Sequence, residues 1–218
     1  MIVTTQKPID EILGFIMPYK KIFIVGCDGC TQPPRGLREA NTLAQILELA
    51  GKLKNKEFVF KTATCAKQCD SHLAAEVMHQ TTWPDEFEKA DAVLSLACGI
   101  GVQMLAELEP AMPVFPAQNT HFMGAEDREK ETLEERCAGC GSCMLAITGG
   151  ICPVARCSKG LLNGACGGTK DGMCELSPER PCGWVQIYDR LKSLGKLEQL
   201  KELRPMRDYR TTGWKVTA

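Results

Sequence analysis

Lys21-Ile22-Phe23-Ile24-Val25-Gly26-Cys27-Asp28-Gly29-Cys30 is the stretch that decides the fold. Its apolar, largely β-branched start, ended by Gly26, is the pattern of a strand buried on both faces in a parallel sheet. A C-x2-C pair follows that strand directly. Working outward, a loop holds Pro33 and Pro34, and then Leu37, Ala40, Leu43, Ala44, Leu47 and Ala50 recur at helical spacing as far as Gly51, the predicted C-terminal cap. A second strand is predicted over 57–61, and Asp70 or Ser71 starts a helix that runs to about Gln80. Residues 92–97, Ala-Val-Leu-Ser-Leu-Ala, read as a third strand; a short helix over 102–108 and a fourth strand, Pro113-Val114-Phe115, follow. The alternation predicts an α/β fold with a small doubly wound parallel sheet.

Thirteen cysteines set this chain apart from average composition. Five lie before residue 137, at positions 27, 30, 65, 69 and 98; eight crowd into 137–182, at positions 137, 140, 143, 152, 157, 166, 174 and 182. The change marks a boundary. The predicted organisation is an α/β domain over 1–124, an irregular Cys-rich, ferredoxin-like metal-binding domain with a closing helix over 125–204, and a tail over 205–218.

Hydrophobic residues make up 44% of the 218-residue chain and charged residues 24%, with a net charge of −1. These values fit a globular protein and give no electrostatic footprint for nucleic acid. No apolar run reaches the roughly 20 residues of a membrane helix, and MIVTTQKPIDEILGF lacks the basic and apolar regions of a signal peptide. A cytoplasmic location without membrane insertion is expected. There, thiols stay reduced, and a dense set of cysteines reads as metal ligands before disulfides.

On the predicted sheet, Cys27 and Cys30 follow the first strand, Cys65 and Cys69 the second, and Cys98 the third. All stand at carboxyl ends, the edge where open parallel sheets bind ligands. One cysteine there is often a small buried hydrophobe; five suggest convergence on one object. A [4Fe-4S] cluster suits thiolates delivered by separate loops better than a structural zinc with two tight pairs. Cys27, Cys30 and Cys98 are the firm ligands. Cys69 is favoured over Cys65 as the fourth, because a helix N-terminus beside it stabilises thiolate charge.

Cys137-Ala-Gly-Cys140-Gly-Ser-Cys143 is C-x2-C-x2-C, the run that wraps three corners of a [4Fe-4S] cluster, with Gly139 and Gly141 permitting the tight turns. Cys152-Pro153 supplies the C-P element, although eight residues separate it from Cys143 where bacterial ferredoxins have three. Cys157, Cys166, Cys174 and Cys182 remain, in a stretch too rich in glycine and too poor in periodic apolar residues for a packed core of its own. A third cluster and a four-thiolate zinc both fit that set, and the cysteine pairing within 137–182 stays open.

The stretch CAGCGSCMLAITGGICPVARCSKGLLNGACGG, followed by MCE and PCGWVQIYDRL, closely resembles the cysteine-rich domain of the methylenetetrahydrofolate reductase C-terminal family. ADAVLSLACGIGVQ and PAQNTHFMG also resemble that family's small iron-sulfur subunit, the MetV type; the likeness runs from Lys21 to Leu191. The C-x2-C segment departs from the family, in which a further Cys follows the pair, so the fourth ligand stays open to Cys65 or Cys69. The resemblance implies a non-catalytic electron-relay subunit rather than a complete enzyme. Its partner would be a MetF-type flavoprotein whose FMN reduces 5,10-methylenetetrahydrofolate to 5-methyltetrahydrofolate in the methyl branch of acetogens and related anaerobes. Electrons would enter from a diaphorase, heterodisulfide-reductase-like or hydrogenase-linked module. The residues agree: no Gly-rich dinucleotide fingerprint follows a strand and no nucleophile elbow is present. The alternative is a zinc-binding scaffold that stabilises the flavoprotein.

Other features read more simply. His72, His79 and His121 are expected in surface or capping roles, and Asn119 and Thr120 in a loop near Cys98. The charged run over 125–136 is predicted to be a solvated linker helix. Trp184, Ile187, Tyr188, Leu191 and Leu194 form an amphipathic helical stripe. The tail carries Tyr209 and Trp214 in a polar setting.

Overall fold

The structure is a computed structural model and describes residues 1–81 and 89–206. The chain divides into two compact units, Met1–His121 and Phe122–Ala218.

The first unit contains β1 (Ile2–Gln6), α1 (Ile9–Ile16), β2 (Lys21–Cys27), β3 (Thr31–Gln32), α2 (Leu37–Leu53), β4 (Val59–Cys65), α3 (Ser71–Met78), β5 (Ala92–Ser95), α4 (Gly99–Leu108) and β6 (Val114–Pro116). The main sheet has the order β4-β2-β5-β6 and is parallel throughout. The expected α/β class with a parallel sheet is present. Because successive side chains point to opposite faces, β2 feeds two cores. Ile22 and Ile24 pack with Leu94, with Ile12, Leu13 and Ile16 of α1, and with Leu43 and Leu47 of α2. Phe23 and Val25 pack on the other face with Val93, with Val77 and Met78 of α3, and with Leu105 of α4. All four of these β2 residues are fully buried. The pattern that looked like an all-apolar run is thus two alternating faces, each covered by helices.

Residues 1–20 add elements that the sequence pattern did not reveal. β1 pairs in parallel with β3 (Ile2↔Thr31), and the Ile2 N–H donates to the Cys30 carbonyl at 2.7 Å. α2 passes through Gly51, which is buried inside it, and ends at Leu53; the turn comes at Asn55, with φ of 55°. Gly51 is therefore not the cap. It is a close approach: a Cβ there would stand 2.7 Å from the Phe58 ring and 2.9 Å from the Lys56 carbonyl. The second strand lies at Val59–Cys65 rather than 57–61, and the helix after the third strand starts at Gly99, three residues earlier than predicted. Asp70 does cap α3, accepting from the N–H groups of His72 (3.0 Å) and Leu73 (3.2 Å).

The second unit is built from β7 (Gln118–Asp127), which begins just before the boundary, β8 (Thr132–Cys137), α5 (Pro153–Arg156), β9 (Met173–Cys174), β10 (Ser177–Pro181) and α6 (Gly183–Ser193). The charged run is not a linker helix. It forms an antiparallel hairpin of β7 and β8, with Gly124↔Glu135 and Asp127↔Thr132 in register and Glu131 at φ of 52° in the turn. The run has no apolar stripe with which to anchor a helix, whereas the ladder satisfies its backbone without packing. The ion pairs Arg128–Glu126, Lys130–Asp127 and Arg136–Glu134 line it at 2.7 to 3.2 Å. α6 forms as expected, with Trp184, Ile187 and Leu191 buried against Ile151, Leu161 and Leu197, while Tyr188 and Leu194 stay exposed. From residue 207 onward the predicted tail, including Tyr209 and Trp214, lies outside the described residues. Among the described residues no helix is long and apolar enough to cross a membrane.

Two glycine substitutions separate propensity from packing. A Cβ added at Gly14 in α1 would meet nothing within 4 Å, so Gly14→Ala should stabilise the protein by about 0.5–1 kcal/mol through helix propensity. Gly51→Ala should instead destabilise it by about 1–3 kcal/mol through overpacking against Phe58. Urea unfolding midpoints of the two variants should move in opposite directions.

Candidate metal centres

The first set of thiols is placed by the parallel ladder. Cys27 ends β2 directly opposite Cys65, which ends β4, and Cys98 stands three residues past the end of β5, at the N-cap of α4. Cys27, Cys65 and Cys98 are buried; Cys30 and Cys69 are exposed. The loops are tied at the backbone. Asp28 N–H donates to the Cys65 carbonyl (2.9 Å), Cys27 N–H to the Arg35 carbonyl (2.7 Å), and Thr64 Oγ1 to the Asp28 carboxylate (2.7 Å). Gly26 is required here, because a Cβ would meet the Gly36 carbonyl group at 2.6 Å. Thr120 lies on β7 rather than in a loop, yet near Cys98 as expected: its Oγ1 accepts from Gly99 N–H at 2.9 Å.

The electrostatics of Cys69 record its neighbours. Although Cys69 is exposed as a residue, partial desolvation pushes its thiol up, a backbone N–H offsets part of this, and the nearby Cys30, Cys98 and Cys27 push it further. Those neighbours are the other three members of the expected set. The helix N-terminus was expected to lower this thiol; desolvation outweighs it. Cys65 is also pushed up, first by burial, with Cys27, Asp70 and Cys69 as its charged neighbours.

In the second unit eight thiols fall into two groups of four. Cys137, Cys140, Cys143 and Cys152 line a hollow of about 270 Å³ together with Gly139, Gly141 and Pro153. Gly139 (φ 61°) and Gly141 (φ 76°) take the left-handed turns that the spacing demanded, and Gly139 N–H lies 3.4 Å from Cys137 Sγ. Cys157, Cys166, Cys174 and Cys182 line a separate cavity of about 20 Å³, walled by Arg156, Lys159, Glu175 and Trp184. Cys174 is held below the ordinary thiol range by Ser158, whose Oγ is 3.5 Å from its Sγ, and by the backbone N–H groups of Leu176 and Ser177 and the charge of Arg180. Lys159 pairs with Glu175, and Cys166 lies 3.6 Å from the same carboxylate. Ser158 and Arg180 carried no sequence signal, since only the fold brings them to the β9–β10 turn.

Among the described residues, no group of three or more His, Cys, Asp or Glu side chains stands at the spacing that grips one ion. Binding at either site would therefore draw the thiols inward, as coupling of metal binding to folding requires. The histidines stay apart from these groups: His72 and His79 are exposed near the two ends of α3, and His121 Nε2 is 2.8 Å from Thr5 Oγ1.

Residues 115–210 match the family described as methylene-tetrahydrofolate reductase C terminal. The matched stretch holds both cysteine tetrads of the second unit. No curated protein matches the chain. Among solved structures, that of an extracellular ligand-binding receptor from Verminephrobacter eiseniae ef01-2 is similar to 50% of this chain, with 16% identity and a TM-score of 0.35; the chain spans 28% of its length. That likeness carries no functional argument.

In metal-stripped protein, iodoacetamide should modify Cys174 well before the buried Cys65, as followed by peptide mass spectrometry. Ser158→Ala should slow modification of Cys174 by roughly 2- to 10-fold, the equivalent of one lost hydrogen bond.

Proposed function

We propose that this chain is an electron-relay subunit of a methylenetetrahydrofolate reductase, passing electrons to the FMN of a MetF-type flavoprotein that reduces 5,10-methylenetetrahydrofolate to 5-methyltetrahydrofolate. The observation that carries this reading is the grouping of its cysteines. Cys137, Cys140, Cys143 and Cys152 line one hollow and Cys157, Cys166, Cys174 and Cys182 another, and Cys27, Cys30 and Cys98, with Cys69 as the favoured fourth, are the set proposed for the sheet edge. The family match over residues 115–210 supports the link to this reductase.

The two tetrads of the second unit differ in the space they enclose. A hollow of about 270 Å³ beside C-x2-C-x2-C has room for a [4Fe-4S] cluster. A cavity of about 20 Å³ admits one water-sized body, which favours a single four-thiolate zinc over a third cluster. In this reading the scaffold role belongs to Cys157, Cys166, Cys174 and Cys182 alone. When bound, [4Fe-4S] clusters accept and release single electrons. The chain's own residues would hold them as thiolates, with the Gly139 N–H directed at Cys137 Sγ, while Arg156, Lys159 and Arg180 stand around the tetrad read as a zinc site. The flavoprotein and an electron-donating module of diaphorase, heterodisulfide-reductase-like or hydrogenase-linked type complete the proposed assembly.

Metal and acid-labile sulfide analysis of protein purified without oxygen tests this directly. About eight irons, eight sulfides and one zinc per chain are expected from two clusters and one ion. Cys140→Ser should remove about half the iron and collapse donor-linked folate reduction in the assembled complex, whereas Cys174→Ser should remove zinc and lower thermal stability with iron unchanged. Zinc alone, without sulfide, would sink the relay reading.

A further inference from the structure

Gln68 lies between Cys65 and Cys69 and is fully buried. A buried amide needs partners for two N–H donors and a carbonyl, and Gln68 has them. Its Nε2 donates to the Val25 carbonyl at 3.0 Å and to the Gly26 carbonyl at 2.8 Å. Its Oε1 accepts from Ser95 Oγ at 2.7 Å, and Ser95 Oγ in turn accepts from Ala97 N–H at 3.2 Å. The orientation of the amide follows from chemistry, because two backbone carbonyls can only face its NH2 end.

Each partner sits just before a thiol. Val25 and Gly26 precede Cys27; Ser95 and Ala97 precede Cys98; Gln68 itself precedes Cys69. The helix after Cys98 is seated on the same side chain, since a Cβ at Gly101 would stand 2.8 Å from the Cβ of Gln68. One neutral side chain thus joins the three loops that end β2, β4 and β5.

We propose that Gln68 is a positioning residue for the thiol edge of the first unit, setting the relative placement of Cys27, Cys30, Cys69 and Cys98 and so tuning the iron-sulfur centre they would hold. This rests on the reading of the function given above. The hydrogen bonds of Gln68 go to the backbone of β2 and to Ser95 and not to a thiol, so it acts through the ligand loops, as outer-shell partners of metal sites do.

The test uses the full chain, purified without oxygen, with Cys140→Ser present so that the remaining iron-sulfur signal belongs to the first unit. Gln68→Glu keeps the size but removes both N–H donors. Ser95→Ala is milder, leaving the two bonds to the β2 carbonyls in place, and it decides the matter if the first variant does not fold. In folded variants, judged by circular dichroism, iron should be lost to a chelator roughly 10- to 100-fold more readily, and the reduction potential and electron paramagnetic resonance lines of the centre should move. Iron retention, potential and spectrum all matching those of protein with natural Gln68 and Ser95 would overturn the proposal alone. Absence of any iron-sulfur signal when Gln68 and Ser95 are natural would overturn the functional reading, and this inference with it.

Discussion

The parallel pairing of β2 with β4 on one side and β5 on the other is the constraint on which the first unit depends. Seven register pairs, from Lys21↔Val59 to Cys27↔Cys65, fix the end of one strand against the other, and Ile22↔Ala92 through Val25↔Ser95 fix the third. A parallel ladder makes every strand end at the same edge. Cys27 and Cys65 therefore end opposite one another, and Cys98 follows β5 at the same edge, although the three lie on separate segments of the sequence. The ladder is itself held by burial on both faces: Ile22 and Ile24 serve one core and Phe23 and Val25 the other. A change that slipped this register by one residue would exchange the two cores and separate the thiols together.

The second unit solves the same problem with less packing. Its buried cluster is Trp184, Ile187 and Leu191, with Cys157 and Cys182 among the partly buried residues against it. Trp184 Nε1 donates to the Leu161 carbonyl at 3.0 Å, which ties α6 to the glycine-rich stretch that carries Cys157 and Cys166. Arg156 and Arg136 share the Glu134 carboxylate at 2.9 and 2.7 Å, joining α5 to the β7–β8 hairpin. These contacts are few for the length of chain involved. In small metal-binding domains, thiolates gathered around metal supply such cross-links and binding energy is folding energy, which is the part proposed for these cysteines.

The two units also differ in how they treat thiol charge. At the sheet edge, burial and neighbouring thiols push Cys65 and Cys69 up, which favours the neutral thiol in the metal-free chain. Around Cys174, hydrogen bonds from Ser158 and from backbone N–H groups already favour the charged form. In the proposed assignment the Cys174 tetrad would hold zinc, whose ligands must be thiolates, so hydrogen bonds that favour the charged form suit that role.

Much of this was legible in the sequence. The run from Lys21 to Gly26, the C-x2-C-x2-C spacing, Asp70 as a cap and the stripe from Trp184 to Leu191 are local signals, because strand period, helix period and turn chemistry act over a few residues. The helical reading of 125–136 failed for the same reason: charge density is compatible with a solvated helix and a solvated hairpin alike, and only ladder pairing chose between them. Gly51 carried the signature of a cap while its actual role, room for Phe58, lies in a contact beyond the end of its own helix. The sequence by itself determined which residues have thiolate chemistry to offer and that strands would alternate with helices. Only the tertiary structure decided which thiols stand together, how much space each group encloses and that Gln68 ties three loops, because these depend on register and on contacts between residues tens of positions apart.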